Sequence, residues 1–562
     1  MEEMVILCKE ELEKMTQDEI IKAYLLLKER FYEQLAIDAE KDRQIKVLSE
    51  RLNLYNAKQF GKSTETAVSF SGSHSEKETE TSAVQIPQSP HMDNRSKSLK
   101  NKRPKKKAGC AQRIKEGLPV YHVDITLSEE ELKEQFGNYR CRELPEQTYD
   151  ILRYRKACLY IERRHIHVYT AGGKIVRAGS VDKMTPKSLV SPEVLAGILE
   201  AKFVMSIPIS RIEQHWKRSG GQLARQTIYG WIIRYAFAYF EVLVMRMREL
   251  MLKSGHIQAD ETSVIVKETI QDKKIYGQCY FWVFSTSELW PEERIILFQY
   301  ERSRAANVLR EFLKGYSGTL TSDAYASYQT FEKEQNGLII LTGCLTHLRR
   351  YFVDALKAMK GFRCLNLEQK KKIPAYEAIE QLKEIFRIEK TLQALSSAER
   401  LSMRKEKIQP RMEAFFTWIH SFKEGDFEKG GLMQKAINYA KNQEVYLKRF
   451  LDDGYVPIHN SASERSIIPL CIGRNNWKII ASENGATAAA YVYSIAETAK
   501  ANLADPFYYF KFLLEKLPCL LKEHKLEKDL SYLDDFMPWT KKYHFYELAQ
   551  KDSWQQGVGT PI

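Results

Sequence analysis

Three acidic residues carry the strongest chemical signal in the chain. Asp260 lies in the apolar run His256–Val266, Asp323 directly follows Gly318–Ser322, and Glu464 sits in Asn460-Ser-Ala-Ser-Glu464-Arg465. A carboxylate inside or at the end of a short apolar strand is costly without a counter-charge, and a divalent cation supplies one. Carboxylates suit hard cations such as Mg2+ or Mn2+. Two such ions about 3.5–4 Å apart activate an attacking hydroxyl and stabilise a leaving oxygen in phosphoryl transfer, with no protein nucleophile needed. Plainer readings stand beside this one. The Asp pair matches ordinary strand-end acids among 73 acidic residues, and Ser461-x-x-Glu464 matches a capping box, which puts Glu at N3 for structural reasons alone. Were Glu464 only a cap, Glu483 and Glu497 would be next in line as the third acid.

The elements around these acids read as strands alternating with helices. Strand candidates are His256–Val266, Tyr280–Ser285, Arg294–Tyr300, Gly318–Ser322 and Gly337–Thr342, with an amphipathic helix over 304–314. Three strands, a helix, a strand ending in a carboxylate and then a further strand is the order of an RNase H-like core. The gap from Asp323 to Glu464 is 141 residues and reads as predominantly helical, Gln369–Arg411 above all. The fold class is therefore α+β and multidomain. An RNase H-like mixed α/β core (251–345 and 455–505) is interrupted by a large all-α insertion (346–454) and followed by a C-terminal helical tail (506–562).

Upstream, residues 1–58 form a helical N-terminus, with one long helix over 18–56. Tyr24, Leu27, Phe31, Ile45, Leu48, Leu52 and Tyr55 fall at heptad spacing, broken by Gln34, Asp38 and Lys41. Packing on its own chain and a dimerising coiled coil both fit. Residues 59–108 read as a disordered basic linker. Its first part is rich in Ser, Thr and Glu, and in Arg95–Lys107 eight of thirteen residues are basic, ending on Lys105, Lys106 and Lys107. Residues 109–180 look like a small mixed unit with a hairpin at Gly172-Gly173. Cys141, Cys158, His165 and His167 lack finger or ribbon spacing, so zinc is not expected there. Residues 181–250 read as a helix-turn-helix-like region. Ser191-Pro192-Glu193 starts one helix, Ile209–Arg218 is a second, and a third runs from about Arg225 to Tyr235, so that Arg225 and Gln226 face a DNA groove.

Bulk composition agrees with a polyanionic partner. The 562 residues hold 86 Lys+Arg against 73 Asp+Glu, a net charge of +13. Such a surplus favours binding to phosphate backbones by counterion release. The first residues mix acids into apolar positions, unlike a signal peptide, and no run of about 18 uninterrupted apolar residues occurs, so no membrane span is expected. Nine scattered cysteines with no CxxC fit reduced thiols and a cytoplasmic location.

The stretch NSASERSIIPLCIGRNNWKI resembles the region around the catalytic Glu of the insertion-sequence-sixty-six family of bacterial transposases, with Asn475 where the family has Lys. QFGKSTE (59–65), QADETSV (258–264), SDAYASY (322–328), GCLTHLRRYF (343–352), ETAKANLADPF (497–507) and MPWT (537–540) are similar to further family stretches in the same order. The resemblance spans nearly the whole chain. It implies a nucleoid-associated DNA transposase with Asp260, Asp323 and Glu464 as the metal-binding triad for two Mg2+ (or Mn2+) ions. The substrate it implies is double-stranded DNA, both transposon ends and target. A homodimer or higher oligomer on that DNA, and small accessory proteins of the same element, are the other implied partners. The family's cysteine-rich zinc segment has no paired cysteines here.

Basic and polar residues near the acids are the expected DNA contacts: His347, Arg349 and Arg350 after the fifth strand, and Arg474, Asn475 and Lys478 after Glu464. Trp477 fits either a core position or stacking on an unpaired base. Cys344-x-x-His347 has the spacing of half a zinc site with no second half in sequence, so His347 is assigned a phosphate contact. The alternative function is a non-catalytic DNA-binding protein derived from a transposase. A plain nuclease that hydrolyses without strand transfer is a third reading.

Overall fold

A computed structural model describes residues 16–60, 168–171, 174–177, 190–218, 223–270, 273–290, 293–323, 325–524 and 528–557. The basic run with Lys105, Lys106 and Lys107, and the Cys141, Cys158, His165 and His167 set, lie outside the described residues. The chain divides into one unit of residues 1–70 and 161–548 and another of 71–160 and 549–562. Nearly all described residues belong to the first.

Helix α1 (Gln17–Phe60) is continuous through the polar break at Gln34, Asp38 and Lys41. Gln34 and Lys41 both bond Asp38, at 3.0 and 3.2 Å, so the break is satisfied at the helix surface. Only the second half of α1 touches the rest of the unit. Val47 is buried, Lys46 pairs with Glu428 at 2.8 Å, Lys58 pairs with Asp354 at 2.6 Å, and Glu50 accepts the Leu432 N–H. The heptad residues of both halves, Tyr24, Leu27, Phe31, Ile45, Leu48, Leu52 and Tyr55, remain exposed.

A short antiparallel hairpin, β1 (Val168–Ala171) and β2 (Lys174–Arg177), follows. Helix α2 (Pro192–Leu199) starts with Pro in its first turn, and the Ser191 hydroxyl accepts the Val194 N–H at 3.4 Å. Helix α3 (Ile209–Arg218) precedes α4 (Arg225–Tyr235). The expected stop at Tyr235 does not occur, because a π-helical turn over Ala236–Phe240 carries the chain into α5 (Glu241–Met251). By length and composition Arg225–Met251 is the one described helix that reaches the apolarity of a membrane span. It buries Ile228, Ile232, Phe240, Leu243 and Met247 in the main core.

Strands β3 (His256–Ile270), β4 (Lys273–Thr286) and β5 (Ile296–Glu301) pair antiparallel in succession. After α6 (Ala306–Phe312), β6 (Gly318–Thr321) pairs parallel with β3. After α7 (Ala326–Glu334), β7 (Ile339–Thr342) pairs parallel with β6. The order across the mixed sheet is thus β5-β4-β3-β6-β7. The β3–β4 ladder runs from Ile257↔Thr286 to Ile270↔Lys273, longer than either apolar run because polar residues continue both strands.

From β7 the chain enters α8 (Leu345–Ala358), then α9 (Pro374–Leu392), α10 (Ser397–Met403), α11 (Gln409–Ser421) and α12 (Leu432–Lys448). These enclose a second hydrophobic core of their own. Two buried arginines fasten its loops. Arg400 donates to the carbonyls of Leu392, Gln393, Leu395 and Gly454, and Arg404 donates to those of Phe450 and Asp453 while pairing with buried Glu389. Gly454 is required there, since a Cβ would stand 2.0 Å from the Ser397 carbonyl oxygen.

The chain returns to the sheet as α13 (Ser461–Trp477), β8 (Ile479–Ile480) parallel to the outer part of β3, and α14 (Glu483–Ala501). Helix α14 covers the edge strand. Ser494 Oγ accepts the Phe298 N–H at 2.8 Å, and Thr498 Oγ1 accepts the Ile296 N–H at 3.0 Å, so β5 offers little free edge. Helices α15 (Pro506–Glu523) and α16 (Lys541–Gly557) complete the described chain.

Arg404 provides the test of the second core. Arg404→Met leaves Glu389 buried and unpaired and is expected to cost about 3–5 kcal/mol in chemical denaturation, with much of that recovered by adding Glu389→Leu. A cost below about 1 kcal/mol would mean that water reaches Glu389 and the pair is not structurally required.

Candidate active site

The sheet and α13 bring the three acids to one place. Asp260 is in the middle of β3, opposite Val283 on β4, and its Oδ1 accepts the Glu261 N–H at 2.9 Å. Asp323 follows the C-terminal end of β6, the neighbour of β3, and its Oδ1 accepts the Tyr325 N–H at 3.1 Å. Glu464 is in the first turn of α13, which lies against β3 and β4. The Ser463 hydroxyl meets that of Ser285 at 3.0 Å, and Asn460 Nδ2 donates to the Ala259 carbonyl at 2.9 Å.

The capping-box reading of Glu464 does not hold. Asn460 occupies the N-cap with no side-chain cap bond, and Ser461 is already the first helical residue. Ser461 thus cannot be the cap that Glu464 would complete. The Glu464 carboxylate turns instead to α8, with Oε1 3.6 Å from His347 Nδ1 and Oε2 3.4 Å from Arg350 Nη2. The two reserve acids lie elsewhere: Glu483 pairs with Arg302, and buried Glu497 pairs with Lys500.

Charge crowds around Asp260. Burial pushes its carboxyl up to about 8, and the neighbouring Glu261, Asp323 and Glu464 push in the same direction. Glu261 is itself buried, with its pKa raised by burial and by Asp323. Tyr328 opposes this by donating its hydroxyl to Glu261 Oε2 at 2.6 Å, as does the Arg304 guanidinium beside Glu261. Arg304 also reaches Asp323 Oδ2 at 3.4 Å and lies over the Tyr325 ring at 3.7 Å. Thus Arg304 answers Asp323 and Arg350 answers Glu464. No ion pair to Asp260 is found among the described residues.

Glu261, Arg304 and Tyr328 were not among the expected site residues, although Glu261 and Tyr328 lie in the family-like stretches 258–264 and 322–328. Glu261 adjoins Asp260, so strand alternation sends it to the opposite face, and its partner Arg304 comes from the loop before α6. The one clue was a second acid inside an apolar strand.

The other expected contacts divide. His347 and Arg350 line the site beside Glu464, with 3.3 Å between Arg350 Nη1 and His347 Nε2. Arg349 is half-exposed on α8, and Asn475 and Lys478 are exposed at the end of α13. Arg474 is turned inward, donating to Thr262 Oγ1 at 3.1 Å and to the Ser263 carbonyl, so it fastens α13 to β3. Arg225 pairs with Glu213 at 2.9 Å across the α3–α4 corner, and Gln226 is exposed one residue on. Trp477 packs half-buried against the main core. Cys344, at the N-cap of α8, meets both His347 and Glu464, and burial pushes its thiol up to about 11.

A helical protein with a mixed α+β sheet and a crowded acidic cleft matches the Transposase IS66 family over residues 187–488, just over half of the chain. The chain belongs to this family. Its curated relatives include three proteins of Sinorhizobium fredii, each titled an uncharacterized protein. The protein y4hP is 26% identical over 362 residues, 64% of this chain and 63% of its own length. The protein y4qI is 25% identical over 391 residues, 68% of each chain, and y4jD is 23% identical over 375 residues, 66% of this chain and 69% of its own. The match to y4hP thus leaves more than a third of that relative's length unaligned.

The charge crowding has a sign that can be measured. The folded pKa of Asp260 lies above its unfolded value, so the protonated carboxyl stabilises the fold at low pH, and that contribution is lost as pH rises through about 8. In metal-free protein, Asp260→Asn is expected to resist urea better than wild type above about pH 8, with the gap closing towards about pH 4. Identical pH dependence in the two proteins would rule out the crowding.

Proposed function

We propose that the chain is a DNA transposase of the acidic-triad type, using Asp260, Asp323 and Glu464 to cleave insertion-sequence ends and join the 3′-OH to target DNA. The observation that carries this reading is the acidic crowding around Asp260 in a chain of the Transposase IS66 family. The sheet is read as an RNase H-like core. Supporting this is its strand order, β5-β4-β3-β6-β7, with the first three strands antiparallel and the last two parallel.

The donor set fits hard divalent cations. Three carboxylates converge and the innermost lacks a cationic partner, which is the charge deficit that Mg2+ or Mn2+ relieves. When bound, a pair of such ions would activate the attacking hydroxyl and stabilise the leaving oxygen. The protein's own part is positional. Asp260 is held rigidly mid-strand, Asp323 is fixed by the Tyr325 N–H and Arg304, and Glu464 is presented by α13 against α8. Half-exposed Arg349 and exposed Asn475 and Lys478 are candidates to steady the DNA backbone, with the basic run ending at Lys107 as a further contact.

Asp260→Asn, Asp323→Asn and Glu464→Gln are each expected to lower Mg2+- or Mn2+-dependent cleavage of DNA carrying the element's ends by at least about a thousandfold, the several kcal/mol such charge stabilisation supplies. Binding to those ends should stay near wild type. Equal loss of binding and cleavage would favour the non-catalytic DNA-binding reading. Cleavage without joined products would favour a plain nuclease.

We also infer that the exposed heptad face at the start of α1 pairs with a second copy as a coiled coil. A polar break follows it, and the ion pairs of Lys46 and Lys58 hold the later half of the helix to its own chain by a different face. Leu27→Glu with Phe31→Glu is expected to halve the mass measured by light scattering. A wild-type monomer would remove the inference.

A further inference from the structure

Cys344 and His347, which in sequence are half of a ligand set, acquire a third member in the fold. One ligand atom from each and a carboxylate oxygen of Glu464 lie within 4.8 Å of one another, the one such group of three among the described residues. Proximity alone does not make a site, but three further features do.

The first is spacing. His347 Nδ1 and Glu464 Oε1 are 3.6 Å apart, and two ligands of one tetrahedral ion with bonds of about 2.0–2.2 Å stand about 3.3–3.6 Å apart. The second is the setting of the sulfur. Cys344 Sγ lies at the N-terminus of α8 and accepts the Asn460 N–H at 3.1 Å. The sulfur is thus fixed in place between the start of α8 and the start of α13. The third is a division of labour within Glu464. Its Oε1 is buried and accepts no hydrogen bond, whereas Oε2 faces Arg350 at 3.4 Å.

We propose that Cys344 Sγ, His347 Nδ1 and Glu464 Oε1 bind a borderline-soft divalent cation of the zinc class, leaving Glu464 Oε2 to the triad. Thiolate and imidazole suit such an ion and not Mg2+. Binding releases the Cys344 thiol proton to solvent. Three protein ligands leave a fourth position for water or a substrate oxygen. The ion ties α8, the first helix after β7, to α13, the helix that brings the chain back, and so holds Glu464 in register. Arg350 must then leave His347 Nε2, because an imidazole ligated through Nδ1 carries its proton on Nε2. The proposal rests on the triad reading only for the role of Oε2.

The test uses the full-length protein stripped of metal and titrated with Co2+, without DNA or Mg2+. A thiolate-to-cobalt charge-transfer band in the near ultraviolet, displaced by Zn2+, is expected in wild type and lost in Cys344→Ser. His347→Ala and Glu464→Gln should weaken Co2+ binding by at least the about 10–100-fold that even outer partners of a ligand are worth. Asp260→Asn should retain the band, so a failure of the triad reading in the cleavage assay leaves this measurement intact. No band in wild type, or a band of wild-type strength in Cys344→Ser, overturns the proposal. If Cys344→Ser fails to fold by circular dichroism, unchanged Co2+ affinity in His347→Ala overturns it instead.

Discussion

Asp260 and Glu261 sit side by side in the central strand of the sheet, and a buried carboxylate is tolerated only if something answers its charge. Much of the surrounding architecture supplies that answer. Glu261 receives Arg304 and the Tyr328 hydroxyl. Asp323 shares Arg304, and Glu464 receives Arg350. Asp260 alone is left to its like-charged neighbours, and its carboxyl is lifted to about 8. A fold optimised only for stability would not leave such a deficit at its centre. Strain of this kind is the mark of a site waiting for charge from elsewhere.

The elements that hold the deficit in place are of two kinds. Local ones fix each acid separately: the β3–β4 ladder for Asp260, a turn closed by the Tyr325 N–H for Asp323, and the first turn of α13 for Glu464. The long-range element is the helical unit between β7 and α13. It has its own core and its own buried ion pair, so it can carry its two ends as a rigid body. One end presents Arg350 and His347, and the other returns to Glu464. The geometry of the third acid therefore depends on the packing of the helical unit as well as on the sheet.

The legible part of the fold was the part written in periodicity. Apolar runs marked β3 to β7 to within a few residues, except that β3 and β4 continue to Ile270 and back from Lys273 through polar residues with no alternating signal. Ser191-Pro192 marked the start of α2 because a capping hydroxyl and a proline act locally. The end of α4 was not legible. The π turn over Ala236–Phe240 is held by burial of Ala236, Tyr239 and Phe240, which no local rule encodes. The site divides along the same line. Asp260 and Asp323 stood out weakly as acids in apolar contexts, and Glu464 only by the family resemblance, since its context equally fits a cap. Arg304 and Tyr328 are ordinary residues until the chain brings them to Glu261. Arg474 shows the reverse error: a basic residue close to Glu464 in sequence is spent on Thr262 and Ser263.

Cys344 illustrates how the two levels meet. Its sulfur, at the N-cap of α8, accepts the N–H of Asn460, the residue that starts α13. The same Asn460 side chain bonds the carbonyl of Ala259, next to Asp260. A single residue thus links the strand of the first acid, the helix of the third and the helix carrying His347. Movement of α8 relative to the sheet would be felt through Asn460 by β3 and α13 together, because buried hydrogen bonds of this kind are costly to break singly. The scaffolds of the first and third acids are therefore linked through a neutral, buried amide, in addition to the charge coupling between the carboxylates themselves.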